Sequence, residues 1–383
     1  MRLLYASHAE RDPSKGSAWA DLALLETLRR RGHEVEEVWN FGSPRRIRHD
    51  NLHILLEAPG RCVRAVLPRA DRRPFDVVLV NQPLGWIAGR RMKRRWPSTL
   101  YVARSHGWEP RVHEELSAAA AEEEESRGPI RRAASTLLRP LLHAQNTRVV
   151  QIADGVVVCS TDDRAWLTHR DGLPESRVLA MPPGIAAELL TSPAPEFDPL
   201  RLRRLLYVGQ FAPFKAPEVA AAAMARVLAA VPESTATWVC GRAHHPRVEA
   251  LFPGSVRGRL TLRSWMPRGE LARVYDEAGI YFFPSYFEGF AQTFLEAMAR
   301  GVIVLASRID GMREAIRDGE NGFLFEPSSE RAMADCALSL IAEPERAEAV
   351  GLAARKTAEG YTWEAAAEKF EQFVSELRAL GPR

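Results

Sequence analysis

Cysteine is sparse and unpatterned. Cys62, Cys159, Cys240 and Cys336 are scattered through 383 residues with no spacing that suits a zinc site, and they read as buried thiols in a reducing compartment. Lysine is scarcer still for its class. Only Lys15, Lys93, Lys215, Lys356 and Lys369 stand among 52 basic residues, so the basicity is carried by arginine. A net charge of +3 is too small to imply a nucleic-acid partner. No apolar run approaches the roughly 20 residues of a spanning helix, and the opening MRLLYASH reads as a first strand, not a signal peptide. No acidic cluster of the Asp-x-Asp type is evident, so metal independence is expected. These absences lead to the expectation of a cytoplasmic protein.

What is present is ordinary for a globular chain: 46% hydrophobic and 26% charged residues, with a length that favours two domains. Arginine is denser in the N-terminal half, as in Arg29-Arg30-Arg31, Arg45-Arg46 and Arg90-Arg91-Lys93-Arg94-Arg95. A solvated face is the simpler reading, and peripheral contact with an anionic membrane the alternative.

One stretch organises the rest, YFFPSYFEGFAQTFLEAMARGVIVLASRIDGMREAIRDGENGFLFEP, from Tyr281 to Pro327. Tyr281–Pro284 is a short apolar strand that Pro284 ends. A loop follows, then a helix over 293–300 with Phe294, Leu295, Met298 and Ala299 as its apolar stripe and Gly301 as its cap. Val302–Ala306 reads as a parallel strand buried on both faces. Glu288 sits in the loop and Glu296 one to two turns into the helix, whose N-terminus favours an anion. Carboxylates suit sugar hydroxyls because they accept several hydrogen bonds. The alternative is that Glu288 is solvated and Glu296 lies on an exposed helix face.

The run EGFAQTFLEAMARG resembles the Glu-x7-Glu motif of retaining glycosyltransferases of family 4, which have the GT-B fold. Its flanks extend the likeness through Pro284-Ser285, Ser307, Gly311, Glu314, Gly319, Asn321-Gly322 and Pro327. The resemblance implies that Glu288 lies by the hydroxyls of the transferred sugar and that Glu296 holds the ribose. It also implies that the backbone of Gly289, Phe290 and Ala291 approaches the donor phosphates. The fold class implied is α/β, two Rossmann-like doubly wound domains facing across a cleft.

Along the chain, Arg2–Ser7, a loop ending in Lys15-Gly16-Ser17 and a helix from Trp19 to Arg31 with Leu22, Leu25 and Leu28 on one side open a doubly wound sheet. Gly16 is either a simple turn or, as the resemblance suggests, a close approach to a phosphate or acceptor. The strand 99–105 runs into His106-Gly107, and ligands bind beyond such strand ends. The family places a His-Gly here beside the reacting sugar. Glu122–Glu125 reads as a solvated acidic run, and residues 130–142 as a basic amphipathic helix that Pro140 should kink or divide. Pro183 stands where family members usually have Asn.

In the second half, the strand 205–208 leads to Gly209-Gln210 and Lys215. The family usually has an arginine after this glycine and a lysine five residues later, the two clamping the donor diphosphate. Here Lys215 is present and Gln210 replaces the arginine, so Arg242 or Arg308 could supply the charge. The turn Trp265-Met266-Pro267 is where the family reads the base.

These readings divide the chain into an N-terminal Rossmann-like acceptor-binding domain at 1–185, a linker at 186–203, a nucleotide-sugar domain at 204–362, and a helix at 363–383 crossing back to the first domain. The expected activity is retaining transfer of a sugar from a nucleotide-sugar donor to an acceptor, with no cofactor and with UDP-sugar favoured over GDP-sugar. The candidate catalytic residues are His106, Lys215 and Glu288, and the candidate donor-binding residues Gly16, Gln210, Arg242, Met266, Gly289, Phe290, Ala291 and Glu296. The rivals are a nucleotide-sugar hydrolase or epimerase and a non-catalytic sugar-nucleotide-binding subunit.

Overall fold

The computed structural model describes residues 1–14, 16–42, 45–81, 84–119 and 129–381. Lys15 and the acidic run Glu122–Glu125 lie outside the described residues, as do the side chains of 130–137. The chain divides into two compact units, 1–183 with 363–383, and 184–362.

Unit 1 holds β1 (Arg2–Ser7), α1 (Gly16–Arg30), β2 (Glu34–Val38), α2 (Ala58–Arg72), β3 (Val77–Asn81), α3 (Trp86–Arg95), β4 (Leu100–Arg104), α4 (Glu109–Ala119), α5 (Pro129–Ile152), β5 (Gly155–Val158), α6 (Thr161–His169) and β6 (Val178–Ala180). All strand pairs are parallel, in the order β2-β1-β3-β4-β5-β6. The run VVLVN of β3 is buried at every position, as a strand covered on both faces requires. On one face Leu24, Leu25 and Leu28 of α1 pack with Trp363, Phe370, Phe373 and Leu377 of the C-terminal helix Trp363–Leu380. That helix lies close on β5: a Cβ at Gly155 would sit 2.5 Å from the Leu377 side chain. Glu371 ties it to Arg31 at 2.6 Å and His33 at 2.7 Å.

Two local readings are corrected. The buried stripe of α1 is Asp21, Leu24, Leu25 and Leu28, with Leu22 only half-buried, the i, i+3, i+4, i+7 spacing of a helix face. Of the two outcomes expected at Pro140, division does not occur: α5 runs through it.

Unit 2 holds β7 (Arg204–Val208), α7 (Pro217–Ala230), β8 (Thr235–Val239), β9 (Leu260–Arg263), α8 (Arg268–Glu277), β10 (Ile280–Phe283), α9 (Gln292–Ala299), β11 (Ile303–Ser307), β12 (Phe323–Phe325), α10 (Glu330–Ala342) and α11 (Pro344–Ala358). Its parallel strands lie in the order β12-β11-β10-β7-β8-β9, the doubly wound arrangement of a dinucleotide-binding sheet. The stretch expected to be a linker is folded onto this unit. Ala187–Thr191 is a short helix, Arg300 donates to the Ser192 and Pro193 carbonyls at 3.0 and 2.7 Å, and Arg201 donates to the Ala278 carbonyl at 2.9 Å. Among the described residues no helix is long and apolar enough to cross a membrane.

Candidate active site

Each sheet has one place where strand order reverses, between β1 and β3 in unit 1 and between β7 and β10 in unit 2. Connections leave in opposite directions there, opening a crevice beyond the strand ends where ligands bind in such folds. The candidate residues follow the carboxyl ends of strands at or beside these two places.

In unit 2, the chain leaving β7 passes Gly209 and Gln210 and makes a short turn at Pro213–Lys215, closed by Ala216 in the left-handed region at φ 47°. The chain leaving β10 passes Tyr286, whose backbone N–H donates to the Phe214 carbonyl at 2.8 Å. This bond holds the two loops together and brings Lys215 Nζ onto Glu288 Oε1 as a direct ion pair. The ammonium also lies 5.4 Å from the centre of the Phe214 ring and 5.6 Å from that of Phe283. The Glu288 backbone N–H donates to the Asp310 carboxylate at 3.2 Å. Glu288 is therefore buried and paired, not solvated.

Glu296 is 1% exposed on α9. One carboxylate oxygen is held by Arg268, the first residue of α8, and the other accepts from the Tyr275 hydroxyl at 3.1 Å. Arg268 also donates to Oε1 of Gln292, the first residue of α9, at 3.2 Å, while the buried Gln292 Nε2 has no hydrogen-bond partner among the described residues. The exposed-face alternative for Glu296 fails. Phe290 is 7% exposed, with its ring against Phe294 and Tyr361 at 5.7 and 5.8 Å. A Cβ at Gly311 would sit 2.3 Å from that ring, so the glycine makes room for it. The Phe290 side chain is core, and Ala291 is the N-cap of α9.

The remaining candidates of this unit sit at neighbouring strand ends. Gln210 is exposed after β7. Arg242 opens the turn Arg242–His244 after β8 and has no ion-pair partner among the described residues. Arg308, in contrast, is bound to Asp318 at 2.6 Å and to the Leu324 carbonyl at 3.0 Å. Met266 is half-buried in the turn after β9, beside Trp265, which is 51% exposed.

In unit 1, His106 follows β4, and its Nε2 lies 3.1 Å from each carboxylate oxygen of Asp21. Asp21 also accepts from the Tyr5 hydroxyl at 2.5 Å and the Asn81 amide at 2.8 Å, and it forms an ion pair with the Arg104 guanidinium at 2.9 Å. Burial by itself disfavours the imidazolium, but the Asp21 carboxylate outweighs it and raises the His106 pKa to about 9. Nearby, burial pushes Glu109 up to about 8 and Asp163 to about 6, the latter against the pull of Arg111 at 2.9 Å. Gly16 is the first residue of α1, where a Cβ would meet open space. The expected loop is therefore shorter, and no tight turn requires this glycine.

The sequence reading passed over Arg268, Tyr275, Asp310 and the Asp21 network. Asp21 had a visible signal, a carboxylate on the apolar stripe of a helix. Arg268 had none, since its partner lies 28 residues away.

Two doubly wound units, each presenting charged side chains at its switch point, define an α/β protein with two Rossmann-like domains. Residues 21–189 match the family model described as Glycosyltransferase Family 4, and residues 203–343 that described as Glycosyl transferases group 1. The D-inositol 3-phosphate glycosyltransferase of Corynebacterium diphtheriae is 30% identical over 253 residues, 61% of this chain and 58% of that protein. Its counterpart in Geodermatophilus obscurus is 32% identical over 239 residues, 57% of this chain and 51% of that protein. The chain thus spans little more than half the length of these curated relatives. Among solved structures, sucrose-phosphate synthase from Thermosynechococcus elongatus superposes with a TM-score of 0.76 at 20% identity, over all of both chains. HepE of Anabaena in complex with UDP superposes with a TM-score of 0.69 at 16% identity, over 98% of this chain and all of that one. The chain belongs to the glycosyltransferases of the GT-B fold.

Proposed function

We propose that the protein is a retaining glycosyltransferase that moves a sugar from a UDP-sugar, in preference to a GDP-sugar, to an acceptor held by the N-terminal half. The acceptor classes that fit are a cell-envelope glycan or lipid and a small metabolite. The observation that carries this reading is the pair of buried carboxylates at the switch point of unit 2, each matched to its own cation. On this reading Glu296 takes the ribose hydroxyls and Lys215 the diphosphate. The backbone of Gly289–Ala291 at the start of α9 also meets the phosphates. Glu288 accepts from the sugar hydroxyls, Met266 borders the base, and His106 stands by the reacting sugar. The departing phosphate oxygen takes the acceptor's proton on the face where the new bond forms. Lys215 stabilises the charge left on that phosphate. The relatives named as glycosyltransferases and the fold neighbour HepE, solved with UDP-glucose, support a nucleotide-sugar donor.

Titration calorimetry with UDP, GDP and ADP, followed by turnover of UDP-glucose and UDP-N-acetylglucosamine with and without acceptors, tests the reading. Failure to bind any of the three nucleotides overturns it. UDP release without an acceptor marks a hydrolase, and binding without turnover marks a non-catalytic subunit. The exposed Arg90, Arg91 and Arg94 of α3 extend the proposal to peripheral contact with anionic lipid. Salt-sensitive co-sedimentation with phosphatidylserine vesicles, lost in the triple Glu variant, tests that extension.

A further inference from the structure

Asp21 occupies a position on α1 where a leucine would serve packing better. Its side chain has no solvent exposure, and a lone carboxylate buried this way is costly unless charges and donors surround it. Four side chains do so: Tyr5 from β1, Asn81 from β3, Arg104 from β4 and His106 just beyond it. Among the described residues, two other groups lie near His106. Cys159 Sγ, just past β5, is 4.0 Å from Nδ1, and Glu109 lies at the start of α4. Burial pushes the Glu109 pKa up to about 8, which weakens its negative charge near neutral pH. The Asp21 carboxylate thus faces both the Arg104 guanidinium and the His106 imidazole at the strand ends.

We propose that Asp21 is a positioning residue whose two oxygens hold His106 Nε2, fixing the imidazole as an immobile cation that does not shuttle protons. The inference rests on the placement of His106 in the reaction site given above. Nε2, held by both Asp21 oxygens at 3.1 Å, is not free to accept a proton from substrate, and Nδ1 faces the Cys159 thiol at 4.0 Å. What His106 offers is its charge and its main chain. The raised imidazole pKa agrees with this geometry but is not its basis.

The experiment is a histidine NMR titration of the ligand-free protein, with the His106 resonance assigned by its loss in His106→Gln, paired with kinetics on a UDP-sugar. The His106 imidazole should stay protonated above about pH 8 in the wild type, and its midpoint should fall by at least about one unit in Asp21→Asn. In turnover, Asp21→Asn should lower kcat by about tenfold or more with donor KM little changed, and regain activity below about pH 6.5. In a His106→Gln background the same substitution should cost less than about twofold, because the group it positions is gone. A wild-type midpoint at or below the ordinary 6.5 overturns the proposal, and needs no variant that could misfold. An unchanged midpoint in Asp21→Asn also overturns it. Equal losses of kcat in both backgrounds would assign Asp21 a merely structural role. Full kcat in His106→Gln removes both residues from the reaction, while UDP binding by calorimetry reports separately on the proposed function.

Discussion

Replacing Lys215 by methionine separates what this side chain does for the fold from what it does for a donor. Methionine keeps most of the apolar stem against Phe214 and Phe283 and removes only the charge. The Lys215 and Glu288 side chains are 16% and 10% exposed, so the pair lies between two regimes. Exposed ion pairs contribute about 0.2–1 kcal/mol, whereas removing one partner of a fully buried pair costs about 3–5 kcal/mol. Lys215→Met should therefore destabilise the ligand-free protein by about 2–3 kcal/mol, and Glu288→Gln by a similar amount, each leaving one buried charge unmatched. The double variant removes both charges and should cost about as much as either single change instead of their sum, giving a coupling of about 2–3 kcal/mol. Guanidinium denaturation, with slopes checked for constancy, measures the cycle. Losses that simply add would refute the argument. The same variant reports on the donor, because it should weaken UDP binding much more than uridine binding. Equal losses for the two ligands would place Lys215 away from the diphosphate.

Glu296→Gln should weaken UDP binding by about 1–3 kcal/mol, the usual cost of a lost charged hydrogen bond, read by calorimetry. Unchanged affinity with an intact fold would count against a ribose contact. The raised His106 pKa contributes stability that is complete below the ordinary 6.5 and lost as pH rises through about 9, about 3 kcal/mol in all. The fall in unfolding free energy between pH 6.5 and 9 should therefore be that much smaller in His106→Gln, and parallel pH curves for the two proteins would refute it. Gln210→Arg should weaken donor binding by adding a like charge, and Arg242→Ala in the same protein should restore it; tighter binding in the single variant would show that the site simply lacks a charge.

Most of the fold was legible because buried parallel strands write themselves as apolar runs. VVLVN, LYVAR and IVLAS needed no partner information to be placed. The two glutamates were legible because a loop glycine, a helix start and their own spacing fall within one short segment. What could not be read was any contact joining distant segments. Lys215 meets Glu288 across 73 residues, and His106 meets Asp21 across 85; neither separation leaves a local trace. The misassignment of Leu22 shows the reverse case. Leu22 and Leu24 differ little as residue types, and only the partner surface decides which faces inward. Asp21 should have decided it from sequence, since a helix that buries Leu24, Leu25 and Leu28 must turn Asp21 inward as well.

The ligand-free charges of unit 2 also bear on why a neutral residue is tolerated at 210. Lys215 and Arg268 are each already matched to a carboxylate, and Arg242 alone of the cations named there has no ion-pair partner among the described residues. On the proposed reading, a diphosphate arriving at this switch point takes Lys215 from Glu288, and the freed Glu288 turns to the sugar hydroxyls. Ribose hydroxyls likewise replace part of the Arg268 contact on Glu296. Each exchange trades one charge-assisted hydrogen bond for another of similar strength, so the site opens without leaving a buried ion unmatched. An arginine at 210 would disturb that exchange. Its guanidinium would add a further cation to a site where Lys215 and Arg268 are already matched and Arg242 carries a charge unmatched among the described residues, the like charge expected to weaken donor binding. Glutamine at 210 can donate to a phosphate oxygen without adding a charge. Loss of the arginine is then compatible with an active site whose remaining cations are stored against the carboxylates that the donor releases.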